Sequence, residues 1–301
     1  MDYAKFEGII PAFYACYDEQ GNISTARVKE LARYLMEKGV KGLYVGGSSG
    51  ECIYQSVEER KAVLQAVMEE VGGKLTVIAH VACNNTQDSC ELAAHAESLH
   101  VDAIASIPPI YFHLPADAVA KYWNDISAAA PHTPFVIYNI PQLAGTALNL
   151  PLLREMKKNP NLLGVKNSSM PVQDIQMWHD EGVFVFNGPD EQLLSGLAAG
   201  AGAGIGGTYA AMPELYMGIF DAFHKGEMEK GRVLQNECCR IIYKVCEADC
   251  NLYATLKEVL RLQGGPDVGD VRTPMTGLTA HGKECAQAAF EMINAAKRNL
   301  L

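Results

Sequence analysis

Lys166 has the sharpest chemical meaning of any residue in this chain. It follows directly on the apolar run Leu162-Leu163-Gly164-Val165. An amine carried into apolar surroundings loses hydration, which disfavours the ammonium form and lowers its pKa. A neutral amine attacks a carbonyl carbon and forms a Schiff base. The competing reading is a strand-end lysine that reaches water or an ion pair. Gly46-Gly47-Ser48-Ser49-Gly50-Glu51 is a Gly-flanked turn. Its backbone N–H groups and its two hydroxyls suit a carboxylate or phosphate, but an ordinary turn between strand and helix has the same composition. Tyr138, in Tyr138-Asn139-Ile140-Pro141, is either a proton relay or a core aromatic whose hydroxyl is capped by a carbonyl. Tyr111, after Pro108-Pro109-Ile110, carries the same two readings. Asp190 and Glu191, in Gly188-Pro189-Asp190-Glu191, open an expected helix, where acids favour the dipole. As ligand groups they would bind a polyol.

These residues need a scaffold that gathers them, and the pattern of the chain supplies one. Short apolar, β-rich runs recur at Gly8–Tyr14, Leu43–Gly47, Leu75–Val81, Ala103–Pro109, Phe135–Pro141, Leu162–Asn167, Val183–Gly188 and Ala203–Tyr209. Their starts lie 20 to 35 residues apart, the spacing of strand–helix units and not of hairpins. The intervening stretches have helical period. Val28, Leu31, Ala32 and Leu35 form one apolar face that ends at Gly39. Ser56 with Glu59 makes a capping box ahead of Val63, Val67 and Val71. Asn149 caps a helix carrying Leu152, Leu153 and Met156. Eight such units predict a closed (β/α)₈ barrel, with an open doubly wound sheet as the rival. In a barrel the active site lies at the C-terminal ends of the strands, where all the residues above fall. After Gly226 the strand signal stops. Met228–Ala248, Leu252–Gln263 and Lys283–Asn299 read as helices. The expected division is residues 1–225 as barrel and 226–301 as a three-helix extension packed on it.

Composition bounds the functions available. The chain has 301 residues, 49% hydrophobic and 20% charged, which is ordinary for a globular protein. Its net charge of −10 is the wrong sign for a nucleic-acid binder, and an anionic substrate must find local donors. No apolar run is long enough to span a membrane, and the N-terminus has no signal pattern, so the cytoplasm is the expected compartment. Nine cysteines, an odd number without a CxxC pair, fit reduced structural thiols and not a metal site. Gly202-Ala203-Gly204-Ile205-Gly206-Gly207 satisfies GxGxxG, but it follows a helix and not a strand, which fails the dinucleotide context. The eight histidines make no HExxH.

Taken together and in order, the Gly46–Glu51, Tyr138–Pro141, Gly164–Lys166 and Gly188–Glu191 motifs resemble the N-acetylneuraminate lyase and dihydrodipicolinate synthase family. The resemblance runs from about Phe6 to at least Tyr209. It implies Schiff-base aldolase chemistry on a small-molecule 2-oxo acid, no cofactor, and a homotetramer. It puts Lys166 at the Schiff-base position and Tyr138 at the proton-relay tyrosine. Ser48 and Ser49 fall where the carboxylate is held, with Ser48 also in the hydroxyl relay. Tyr111 matches a tyrosine that crosses from a neighbouring subunit. The sialic-acid branch of the family further implies polyol contacts at Gly188, Asp190 and Glu191 and a hydroxyl contact at Ser168. The implied reaction is cleavage of N-acetylneuraminate to N-acetylmannosamine and pyruvate. The alternatives are a sibling aldolase or synthase acting on another sugar acid or semialdehyde, and a non-catalytic binding barrel. Synthases of the family carry an Arg shortly after the Tyr-Asn-x-Pro motif for a second carboxylate, whereas here Pro141 is followed by Gln142-Leu143-Ala144-Gly145. One departure runs the other way. Sialic-acid lyases often have Ser at the place of Gly207, beside Thr208, and glycine offers no side-chain donor to a glycerol tail.

Overall fold

In a computed structural model that describes residues 3–301, eight short strands form one sheet. They are β1 (Gly8–Pro11), β2 (Gly42–Val45), β3 (Thr76–His80), β4 (Ala103–Ser106), β5 (Phe135–Asn139), β6 (Leu162–Asn167), β7 (Phe184–Asn187) and β8 (Ala203–Gly206). Each lies within or beside an expected run. All pair in parallel, in the order β1-β8-β7-β6-β5-β4-β3-β2. The circle closes between β1 and β2, where Lys41 N donates to Ile9 O and Phe13 N to Tyr44 O, both at 2.9 Å. This is the (β/α)₈ barrel. The GxGxxG stretch is β8 itself, so it has no phosphate-binding turn to offer.

Helices α1 (Thr25–Glu37), α2 (Val57–Val71), α3 (Thr86–Ser98), α4 (Ala116–Ala129), α5 (Pro141–Ala144), α6 (Leu150–Met156), α7 (Gln173–Asp180), α8 (Leu193–Ala198) and α9 (Pro213–His224) follow the strands. The local signals act as their chemistry requires. Val28, Leu31, Ala32 and Leu35 are the buried face of α1. The Ser56–Glu59 capping box starts α2 with both reciprocal bonds made. Asn149 accepts from Leu152 N at 3.0 Å and starts α6. Three further helices, α10 (Met228–Cys246), α11 (Leu252–Leu262) and α12 (Ala280–Leu300), complete the chain. The last begins three residues earlier than its apolar period indicates, because Thr279 caps it by accepting from Gly282 N.

The apolar side chains divide into two cores, as a barrel demands. One lies between strands and helices; it includes Phe135, Ile137 and Val165. The other fills the barrel with Phe6, Ile10, Tyr44, Ile78, Val136, Tyr138, Leu163, Phe186 and Ile205. Leu163 is inside and Val165 outside, although alternation puts residues two apart on one face. The register explains it: Phe135 pairs with Leu162 but Val136 with Gly164, so β6 holds one extra residue. Such an irregularity re-aims the side chains beyond it. Lys166 now pairs with Tyr138, and both point inward. Counted from Leu163 without the slip, Lys166 would face the helices.

Candidate active site

A pocket of about 260 Å³ opens where the strands end. Lys166, Tyr138, Ser48, Ser49, Ser168, Gly188, Asp190, Glu191 and Gly207 all line it. The structure thus brings together nine of the ten residues singled out from the sequence. The tenth, Tyr111, stands apart. It is 87% exposed, holds a positive φ of 85°, and packs edge-on against Phe112 outside the pocket.

Lys166 is 4% exposed. Its Nζ lies 3.5 Å from the centroid of the Tyr138 ring and 3.1 Å from Ser168 Oγ, to which it donates. Burial pulls its pKa down from 10.5 to about 7, and the Asp190 carboxylate pulls weakly the other way. Lys166 makes no ion pair with a carboxylate among the described residues. The strand-end reading, an amine reaching water or an acid, does not describe it.

Tyr138 is equally enclosed. Burial pushes its phenol up to about 12, against the hydroxyls of Ser48 and Ser168, which favour the phenolate. Its ring stands edge-on to Tyr44 and to His80. Desolvation holds His80 neutral, with a pKa of about 3. A neutral ring facing the Gly46 carbonyl at 2.8 Å must carry its proton on Nδ1 and donate it there. His80 therefore anchors the turn that presents Ser48 and Ser49. Sequence reasoning missed it, because nothing local distinguishes a strand-end histidine that faces the barrel.

Asp190 does not cap the short helical turn it opens. Its carboxylate crosses to β8 and accepts from Thr208 N at 2.7 Å and from Thr208 Oγ1 at 2.5 Å. Burial raises its pKa to about 6 despite those two bonds. Gln235 of α10 braces the same loop, donating to Asp190 O and accepting from Leu194 N. Gly188 is required by close approach: a Cβ there would stand 2.1 Å from Ser168 Oγ and 2.5 Å from Asn167 O.

The Ser48–Ser49 turn is held from the C-terminal helices. Glu51 sits in the left-handed region (φ 54°), and its carboxylate accepts from Lys257 Nζ of α11 and from Arg272 N, both at 2.9 Å. Tyr253, also on α11, reaches the pocket and accepts from Ser49 Oγ at 3.0 Å. Neither Tyr253 nor Lys257 was singled out from the sequence. The apolar period of α11 marks a packed helix but not that it lies over the barrel mouth.

The chain matches the model of the dihydrodipicolinate synthetase family over residues 5–293. It is 59% identical over 300 residues to an N-acetylneuraminate lyase of Mediterraneibacter gnavus, covering 99% of this chain and 95% of the relative. It is 34% identical over 273 residues to an Escherichia coli N-acetylneuraminate lyase, covering 90% and 91%. A solved structure described as a catalytic lysine mutant of Ruminococcus gnavus sialic acid aldolase superposes with a TM-score of 0.98 at 58% identity. It covers 100% of this chain and 99% of that one. A buried amine between the Tyr138 ring and the Ser168 hydroxyl, in a barrel of this order and at this similarity, places the protein: the chain belongs to the dihydrodipicolinate synthetase family.

Proposed function

We infer that this protein is a carbon–carbon lyase that cleaves N-acetylneuraminate to N-acetylmannosamine and pyruvate; the relatives 59% and 34% identical to it are named N-acetylneuraminate lyase. The observation that carries the mechanism is Lys166: an amine with a pKa of about 7, at the floor of a pocket lined by hydroxyls and by two carboxylates. The open-chain sugar acid enters with its carboxylate on Ser48, Ser49 and neighbouring N–H groups. Neutral Lys166 adds to C2, and loss of water leaves an iminium. The C4 hydroxyl gives up its proton, the C3–C4 bond breaks, and its electron pair passes into the iminium as an enamine. Tyr138, linked to Ser48, relays that proton. Such assistance is typically worth about 10²–10⁴-fold. Protonation at C3 and hydrolysis then free pyruvate and Lys166. Ser168, Gly188, Asp190 and Glu191 line the wall where the polyol lies.

The wall after β5 favours this substrate over a dicarboxylate. Leu143 lines it, and no arginine does. A second carboxylate would find no bidentate partner there. Tyr111 fits a role in a neighbouring copy, since it projects into solvent beside Phe112, itself 71% exposed. A homotetramer with Tyr111 completing the hydroxyl relay of another subunit is our reading of that projection. Residues 226–301 are read as an extension of the barrel and not a separate domain, because Tyr253 and Lys257 are built into the site. The unpaired cysteines are in keeping with the cytoplasm. Among the described residues, no helix is long and apolar enough to cross a membrane.

The test is pyruvate release across a panel of sugar acids, run beside condensation of pyruvate with aspartate semialdehyde. Release from N-acetylneuraminate and negligible condensation are expected. The opposite preference would refute the assignment.

A further inference from the structure

Gly207 leaves β8 without the side-chain hydroxyl that a sugar acid's tail would need, yet the space beside it is not empty. A Cβ built on Gly207 would meet Tyr253 Oη at 3.3 Å and Ser49 Oγ at 3.3 Å. The backbone there is not in the left-handed region, so glycine is not required by φ. A side chain there would crowd the Tyr253 phenol and the Ser49 hydroxyl alike, and each would have to give by a few tenths of an ångström. Tyr14 fixes the geometry from the other side: its hydroxyl donates to Gly207 O at 2.7 Å, and its ring lies 6.0 Å from that of Tyr253. The Tyr253 hydroxyl accepts from Ser49 Oγ, which leaves its own proton free to point into the pocket it lines. A phenol donates one hydrogen bond while it accepts another. Enclosure raises its pKa, so that proton stays in place.

We propose that Tyr253 is a substrate-binding residue, whose hydroxyl donates to an oxygen of the sugar-acid chain at the β8 wall and takes the place of a hydroxyl missing from position 207. The proposal rests on the lyase reading above. Gly207 and Tyr253 are then two halves of one choice. A glycine at the end of β8 leaves room for the phenol from α11, and a serine there would crowd it. The donor arrives from the C-terminal helices, which makes α11 part of the specificity wall.

Tyr253→Phe removes the hydroxyl and keeps the ring against Tyr14, so the fold is preserved. The KM for N-acetylneuraminate should rise about two- to tenfold, the worth of one neutral hydrogen bond, with kcat within about twofold. The rate of borohydride trapping of pyruvate on Lys166 should hold, because pyruvate has no chain to reach β8. Gly207→Ser in the unaltered background should leave KM unchanged or raise it, since the added hydroxymethyl group would crowd Tyr253 and Ser49. In the Tyr253→Phe background the same change should recover the lost affinity. An unchanged KM in Tyr253→Phe overturns the proposal. So does a parallel loss of pyruvate trapping, which would make Tyr253 a positioning residue for Ser49. Purely additive effects of the two substitutions overturn the pairing. Absence of N-acetylneuraminate cleavage by the unaltered protein would instead overturn the lyase reading, so the two failures are distinct.

Discussion

The reactivity of Lys166 should titrate well below that of an ordinary lysine. Burial brings its pKa from 10.5 to about 7. At pH 7 about half of Lys166 is then the free amine, against roughly one part in three thousand for an unperturbed lysine, a gain of about 10³ in nucleophile. The assay is the rate of irreversible mass gain with saturating pyruvate and cyanoborohydride, followed from about pH 5 to about pH 10.5, a range chosen to span both the lowered and the ordinary lysine pKa. Peptide mapping assigns the site. The rate should rise through a midpoint of about 7 and then level, with the adduct on Lys166. The neighbouring carboxylate supplies an internal check. Ionised Asp190 raises the Lys166 pKa, so Asp190→Asn should move the midpoint lower. A midpoint at the ordinary lysine value would refute the claim that desolvation activates this amine, and a midpoint indifferent to Asp190 would refute the opposing pull of that carboxylate. An adduct elsewhere would refute the site.

Other consequences stem from the same geometry. Lys166→Met should abolish turnover and stabilise the fold: the unfolded chain binds more protons between about pH 7 and 10.5, so the gain in Tm should be largest below pH 7 and fade toward pH 10.5. Asp190→Ala should weaken N-acetylneuraminate use while sparing pyruvate trapping; equal loss of both would mean that its bonds to Thr208 only hold the barrel together. Lys257→Met should cost about 3–5 kcal/mol in denaturant titration, because Glu51 is fully buried and would lose its counter-ion, and Glu51→Gln in the same chain should restore much of it. Gly164→Ala should destabilise the barrel and slow trapping together, since a Cβ there would stand 1.9 Å from Phe184 O, where only backbone movement relieves the clash.

The sequence alone determined what is local. Apolar runs at strand–helix spacing, the capping box at Ser56, the cap at Asn149 and the buried face of α1 each depend on neighbours a few residues away, and each is legible in the sequence. The motifs at the strand ends were legible for the same reason, and their order carried the family resemblance. Tertiary structure decided what depends on distant partners. The extra residue in β6 appears only against β5, yet it turns Lys166 from the helix layer into the barrel. Asp190 looked like a helix cap, but Thr208, 18 residues on, claims its carboxylate because β7 and β8 end side by side. Tyr253 lies 204 residues from Ser49 in sequence, and no periodicity in α11 announces that it closes the pocket. Capping and periodicity act over single turns of chain. The aim of a side chain, and the company it keeps in a barrel mouth, are set by strands and helices that meet only when the circle closes.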